Sequence, residues 1–153
     1  MRIAIASDHR GYAAKQRIKV FLEGRGHQVQ DFGTDSAASC DYPDVAYPAA
    51  RSVRVGQNER AIVLCGTGIG SSITANKVQG VRAALCHDEL TAEMARRHND
   101  SNVLCLAADL TGESLMQRIV DVWLNTPFDG GRHERRVNRI RQIEQAERDH
   151  DPG

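Results

Sequence analysis

The chain has no surplus of either charge: 20 basic residues meet 20 acidic ones over 153 positions. A neutral chain has no global field to draw it to nucleic acid or an anionic membrane, so any anion site has to be local. It also lacks a long apolar run, and none approaches the roughly 20 residues of a membrane span. "RIAIA" at 2 to 6 is too short for the apolar core of a signal peptide and has no cleavage site after it. No C-x-x-C pair occurs; Cys40, Cys65, Cys86 and Cys105 stand apart, which argues against a zinc site or a thioredoxin-type motif. Without a secretory signal the four read as reduced thiols, and the expectation is a soluble protein of the cytoplasm. No internal repeat or linker appears either. This leaves one domain, 1 to 148, and a frayed tail at 149 to 153.

What is present is an alternation of short apolar runs with longer amphipathic ones. "RIAIA" (2 to 6), "QVQDF" (28 to 32), "AIVLC" (61 to 65), "RAALC" (82 to 86) and "NVLCLAA" (102 to 108) predict five strands. Most are continuously apolar, as parallel strands covered on both faces require. Helical stretches fall between them at 11 to 24, 43 to 56, 69 to 78, 89 to 98 and 112 to 125, with a last one at 132 to 148. The rhythm predicts a Rossmann-like, three-layer α/β/α fold with a five-stranded parallel sheet. The common strand order 2-1-3-4-5 puts the ligand crevice between the first and third strands, beyond their carboxyl ends. The loops there are "SDHRG" and "CGTGIGSS", so Cys65 points into the expected crevice.

Three readings of the second loop compete. A dinucleotide loop needs G-x-G-x-x-G, whereas Gly66, Gly68 and Gly70 alternate and follow the third strand. A cysteine phosphatase needs an arginine where Ser71 stands, and that reading fails. The third is a helix N-terminus whose amides accept a developing oxyanion while a thiolate moves a proton. Positive helix ends favour thiolates, so one feature supplies both base and electrostatic stabilisation. A buried structural thiol is the plain alternative for Cys65, and the expected role of Cys86 and Cys105.

The companions each have a plain reading as well. Asp8, beside His9, suits the cap of the following helix. His98 and Asn99 suit the end of a helix, where the dipole favours a cation and Asn closes the turn. In the last helix Val137, Ile140 and Ile143 form a thin apolar stripe, which places that helix across a partner subunit. Arg132 and Arg136 lie alongside the stripe and want an anion there. Arg135, Arg139 and Arg141 point elsewhere, as a solvated face.

Taken together, "SDHRGYAAK", "DYPD", "CGTGIG" with "ANK", "VRAALCHDE", "RRHNDSNVL" and "GGRHERRV" resemble the type B ribose-5-phosphate isomerases, a group that includes the galactose-6-phosphate isomerase subunits. The resemblance runs in order from residue 1 to about 145, with few gaps. It implies that Cys65 is the base shuttling a proton between C1 and C2 of an open-chain sugar phosphate. Thr67 and the amides of Gly66, Gly68 and Gly70 would stabilise the enediolate. His98, helped by Asn99, would open the sugar ring from the partner subunit. His9, Arg132 and Arg136 would bind the phosphate, and Asp8 and Tyr42 the hydroxyls. No metal or organic cofactor is implied, nor any nucleic-acid or membrane partner; the assembly would be a homodimer or dimer of dimers with interface sites. Some members carry a carboxylate base after the glycines, but "IGSS" here leaves Cys65 as the candidate. Asp109 departs from the pattern, since many members have an arginine there that reaches the phosphate. Ribose 5-phosphate and ribulose 5-phosphate are therefore the default pair, with four- or six-carbon sugars as the alternative. A non-catalytic nucleotide-binding module is the alternative of a different class.

Overall fold

The computed structural model describes residues 1–150. Five parallel strands, β1 (Arg2–Ser7), β2 (Gln28–Asp31), β3 (Arg60–Cys65), β4 (Ala83–Leu85) and β5 (Val103–Ala107), form one sheet. Six helices accompany them: α1 (Tyr12–Gly24), α2 (Tyr42–Arg54), α3 (Ile69–Asn76), α4 (Glu89–Asn99), α5 (Glu113–Asn125) and α6 (Arg132–Asp149). The α/β three-layer class is the one expected. Of the expected tail, Asp149 still belongs to α6 and His150 caps it; positions 151 to 153 lie outside the described residues. None of the described helices is long and apolar enough to cross a membrane.

Alternation along the strands divides the core in two. Ile3, Ile5, Ile62, Leu64, Leu104 and Leu106 point to the face covered by α1, α4 and α5, where Trp123 and Met116 complete the packing. Ala4, Ala6, Ala61, Val63, Val103 and Cys105 point to the other face, under Ala46, Ala49 and Ala50 of α2 and Ala75 of α3. One face is thus built from large side chains and the other from small ones. Small residues bring the α2 and α3 backbones close to the sheet.

The strand order is β2-β1-β3-β5-β4, not the expected 2-1-3-4-5. Burial explains the exchange. Every residue of β5 is buried, whereas all three of β4 are only partly covered. A strand apolar on both faces gains most from a central position, and a short one with Arg82 at its start suits the edge. The switch between β1 and β3 is unaffected. However, the segment following β5 now lies beside the exit of β3: Ala108 N–H donates to Cys65 O (2.8 Å) and Asp109 N–H to Gly66 O (3.0 Å).

Helix α6 starts after Gly130 and Gly131, both at positive φ, and packs on α4 through His133 and Val137. Of the expected stripe only Val137 belongs to this face; Ile140 and Ile143 stay 47% and 50% exposed in the single chain, and Arg132 and Arg136 are exposed too.

Because β5 is central, Leu104→Ala should cost about 2–5 kcal/mol, the range for truncating a buried leucine. Urea denaturation measures it, and a loss below about 1 kcal/mol would contradict a central β5.

Candidate active site

Cys65 ends β3 on the small-residue face, where the chain turns into α3. Its Sγ accepts the N–H of Gly68 at 3.2 Å. Gly68 is the N-cap of α3, with φ 75° and ψ −10°. A Cβ at this position would lie 2.4 Å from Leu85 Cδ1 and 3.1 Å from the backbone carbon of Leu106. Only glycine satisfies both the left-handed backbone and the close approach. Thr67, between the two, is exposed, and its Oγ1 accepts from Ile69 N–H at 3.3 Å. A thiol, a hydroxyl and the opening amides of a helix therefore stand together.

Three further residues converge on this loop. Tyr42, the first residue of α2, lies over Gly70, its ring 2.5 Å from where a Cβ of residue 70 would be. Asp8 is buried at the exit of β1, and its Oδ1 accepts from the N–H groups of Arg10 and Gly11 at 3.0 and 3.1 Å. Asp8 does not cap α1 as expected, since the N-cap is Gly11 without a side-chain cap bond; it holds the turn ahead of the helix instead, and its Oδ2 makes no hydrogen bond among the described residues. His9 Nδ1 lies 3.2 Å from Cys40 N and 3.3 Å from Cys40 O, so the backbone of Cys40 holds the ring. Cys65 itself is 4% exposed in the single chain.

The remaining expected residues lie elsewhere. Helix α4 runs antiparallel to the strands, so His98 and Asn99 lie towards the edge where the strands begin. Asn99 O accepts from Arg82 Nε (3.0 Å) ahead of β4, and Ala61 N–H at the start of β3 donates to Asn102 O (3.1 Å). Four strand residues, about 13 Å at the usual rise per residue, separate Ala61 from Cys65. Moreover α4 covers the large-residue face and Cys65 belongs to the other. The turn-ending role suggested for Asn99 is taken by Asp100, at φ 47°.

His98 has an unexpected companion. Its ring stacks on His133 with centroids 4.1 Å apart and planes 7° from parallel. Burial, followed by the charges of His98, Arg132 and Arg136, pushes the His133 imidazole below its ordinary range. Two imidazolium rings at this separation would repel, and the neutral form of His133 avoids that. Asp129 joins the pair: His98, Asp129 and His133 bring ligand-type atoms within 4.8 Å of one another. The chain therefore holds a carboxylate–histidine trio that spacing along the sequence does not reveal. As it stands the trio does not converge on one point, since stacked rings direct their in-plane lone pairs in parallel and Asp129 already accepts from Arg97 at 3.1 Å.

The ribose/galactose isomerase family matches this chain over residues 3–140. The chain belongs to that family. It is 43% identical over 144 residues to ribose-5-phosphate isomerase B of Escherichia coli, covering 94% of this chain and 97% of that one. It is 40% identical over 149 residues to D-erythrulose-4-phosphate isomerase of Pectobacterium atrosepticum, covering 97% and 98%. Among solved structures, ribose-5-phosphate isomerase B of Clostridium thermocellum superposes with a TM-score of 0.94 at 49% identity, covering 95% of this chain and 99% of that one.

Within this isomerase fold two further thiols are held in the protonated form by burial. Burial pushes the Cys86 thiol up to about 11, and full burial moves Cys105 in the same direction. Two features escaped the sequence reading. His133 stands between Arg132 and Arg136 in "GGRHERRV", and the stripe of Val137, Ile140 and Ile143 gives no sign of it. Arg10 stood in "SDHRG" with nothing to single it out; its partner, Asp109, is 99 positions away.

The Cys86 shift gives a signed pH dependence. Its thiol is raised from 9.0 to about 11 by burial, so between these values the unfolded chain has released its proton and the folded chain has not. Stability should therefore fall as pH rises through that window, by at most about 1.4 kcal/mol per unit. Urea midpoints of wild type and Cys86→Ala should diverge less at alkaline pH than at neutral pH; a constant gap contradicts the assignment.

Proposed function

We propose that this chain interconverts an aldose phosphate and its ketose through a cis-enediolate, with D-ribose 5-phosphate and D-ribulose 5-phosphate as the default pair. The observation that carries the reading is Cys65 Sγ lying under the Gly68 amide at the head of α3. A C–H beside a carbonyl is a very weak acid, so a base must take the proton while donors receive the charge that forms. Cys65 as thiolate removes the proton from C2 of the open-chain aldose. The C1 carbonyl oxygen becomes the enediolate oxygen, held by the loop amides of Gly66, Gly68 and Gly70 and by Thr67. Return of the proton to C1, with transfer of the O2 proton to O1, gives the ketose. Asp8 Oδ2 and the Tyr42 hydroxyl meet sugar hydroxyls, and the His9 imidazole is a donor for the phosphate.

The rest of the site comes from a second copy of the chain. His98, helped by Asn99, opens the furanose ring, and Arg132 and Arg136 hold the phosphate across the interface. Support comes from their position on the opposite edge and face of the sheet from Cys65, with exposed arginines and half-exposed Ile140 and Ile143 left on α6. This describes a homodimer, or a pair of dimers, working in the cytoplasm without cofactor. A second reading, a four-carbon substrate, draws support from the relative named for D-erythrulose 4-phosphate and from Asp109, which removes a cation expected near the phosphate.

Rates on four-, five- and six-carbon sugar phosphates decide among these. Cys65→Ala should lower kcat by about 10²–10⁴-fold, the range for loss of a general base, with an unchanged urea midpoint. Turnover equal to wild type would refute the role of Cys65. Co-expressing Cys65→Ala with His98→Asn tests the shared site. Mixed dimers keep one intact site of two, so random pairing should restore about a quarter of wild-type activity to ring-closed substrate. No recovery would mean that each site draws both residues from one chain.

A further inference from the structure

Asp109, taken from the sequence alone, is a carboxylate that should repel a phosphate near Cys65. The structure gives it a counter-charge. Arg10 Nε donates to Asp109 Oδ2 at 2.6 Å. The pair lies directly on the first glycine of the thiol loop. A Cβ at Gly66 would be 2.8 Å from Asp109 Oδ2, 3.1 Å from Arg10 Nε and 3.2 Å from Arg10 Cδ. The Arg10 side chain therefore runs flat across the peptide that follows Cys65. Both ends are anchored: the Arg10 N–H donates to Asp8 Oδ1 (3.0 Å), and the Asp109 N–H donates to Gly66 O (3.0 Å).

Only one edge of the guanidinium is used. Among the described residues neither Nη of Arg10 has a hydrogen-bond partner, and the side chain is 58% exposed. A guanidinium held through Nε keeps the fork of its two terminal nitrogens, the arrangement that takes two oxygens of a phosphate together. His9 occupies the neighbouring position in the same loop, and its imidazole serves the same task.

We propose that Arg10 is the chain's own phosphate-binding arginine in the Cys65 half of the site, with Asp109 as the positioning residue that turns its fork outward. The inference rests on the sugar-phosphate reading above and adds a residue to it. Asp109 then costs the site less than its charge suggests, because its negative charge is spent on the arginine that faces the ligand.

Steady-state rates and inhibition by inorganic phosphate test this. Arg10→Ala should raise KM for the sugar phosphate, and the inhibition constant of inorganic phosphate, by about ten- to a hundredfold, as loss of a charge-assisted pair does. The fall in kcat should be smaller than the rise in KM. Arg10→Lys should recover only part of the loss, since an ammonium is a point charge without a fork. Asp109→Ala should raise KM in the same direction but less, and should add nothing in the Arg10→Ala background. A KM for Arg10→Ala within about twofold of wild type would overturn the proposal, as would a full Asp109→Ala effect in the Arg10→Ala background, which would make Asp109 the contact. Failure of the isomerase reading is a separate result. A wild type that turns over no sugar phosphate, yet binds inorganic phosphate by calorimetry in an Arg10-dependent way, would retain the anion site and lose the reaction. Turnover by wild type with phosphate inhibition indifferent to Arg10 would retain the reaction and overturn the assignment of Arg10.

Discussion

The hydrogen bond from Gly68 N–H to Cys65 Sγ is the constraint from which the rest of the site follows. For it to form, the chain must reverse within three residues of β3 and enter α3 at a positive φ, with no side chain at residue 68. The space behind that glycine is closed by Leu106 of β5 and Leu85 of β4. The strand order is therefore a condition of the loop and not only its setting. With β5 next to β3, a fully buried strand forms the wall, and two backbone hydrogen bonds from Ala108 and Asp109 tie the loop to it. A short, half-covered edge strand in that place could not hold the loop as firmly. Sulfur and amides are fixed relative to each other before any ligand arrives, which is the preorganisation that charge stabilisation needs.

A parallel α/β sheet also separates the two groups of residues that the proposed reaction would join. Every strand delivers its loop to one edge, and every returning helix ends at the other. A residue at the end of β3 and a residue at the end of α4 thus lie apart by the length of the strands, and here also on opposite faces. The histidine half is nevertheless organised within the chain: His98 is held flat against the buried His133, and α6 brings Arg132 and Arg136 to the same place. Two groups that cannot meet within one chain are the physical argument for the second copy proposed above.

Much of this was legible in the residues. Continuous apolar runs carried the strands, because parallel strands are buried on both faces, and longer amphipathic stretches carried the helices. The thiol loop was legible because glycines at alternate positions after an apolar run have few other uses. The order of β4 and β5 was not, since both read as apolar, and only the comparison of "AAL" with "VLCLA" for completeness of burial separates them. The side of α6 that packs on α4 was missed for a related reason. Val137 belongs to it as well as to the isoleucine stripe, and His133 goes unnoticed because an imidazole does not register as a core residue. The Arg10–Asp109 pair was invisible for lack of any local signal: its members come from loops after different strands, and the mistaken order kept those loops apart.

The inequality of the two faces bears on where the site could be built. On the face of α1, α4 and α5, leucines, isoleucines and Trp123 hold the helices away from the sheet, and the burial is thick. On the face of α2 and α3 the layer is alanine and valine, so helix backbones come close to the strand ends. Close approach allows the first residue of α2, Tyr42, to reach across Gly70, and lets the first turn of α3 stand directly over the thiol. Larger residues at Ala46 or Ala49 would push α2 outward and lift Tyr42 from the loop. The small side chains on this face contribute less to the apolar burial that stabilises the fold, and the thick opposite face supplies the larger share. The larger share of the burial and the thiol half of the proposed site are in this way assigned to different sides of one sheet.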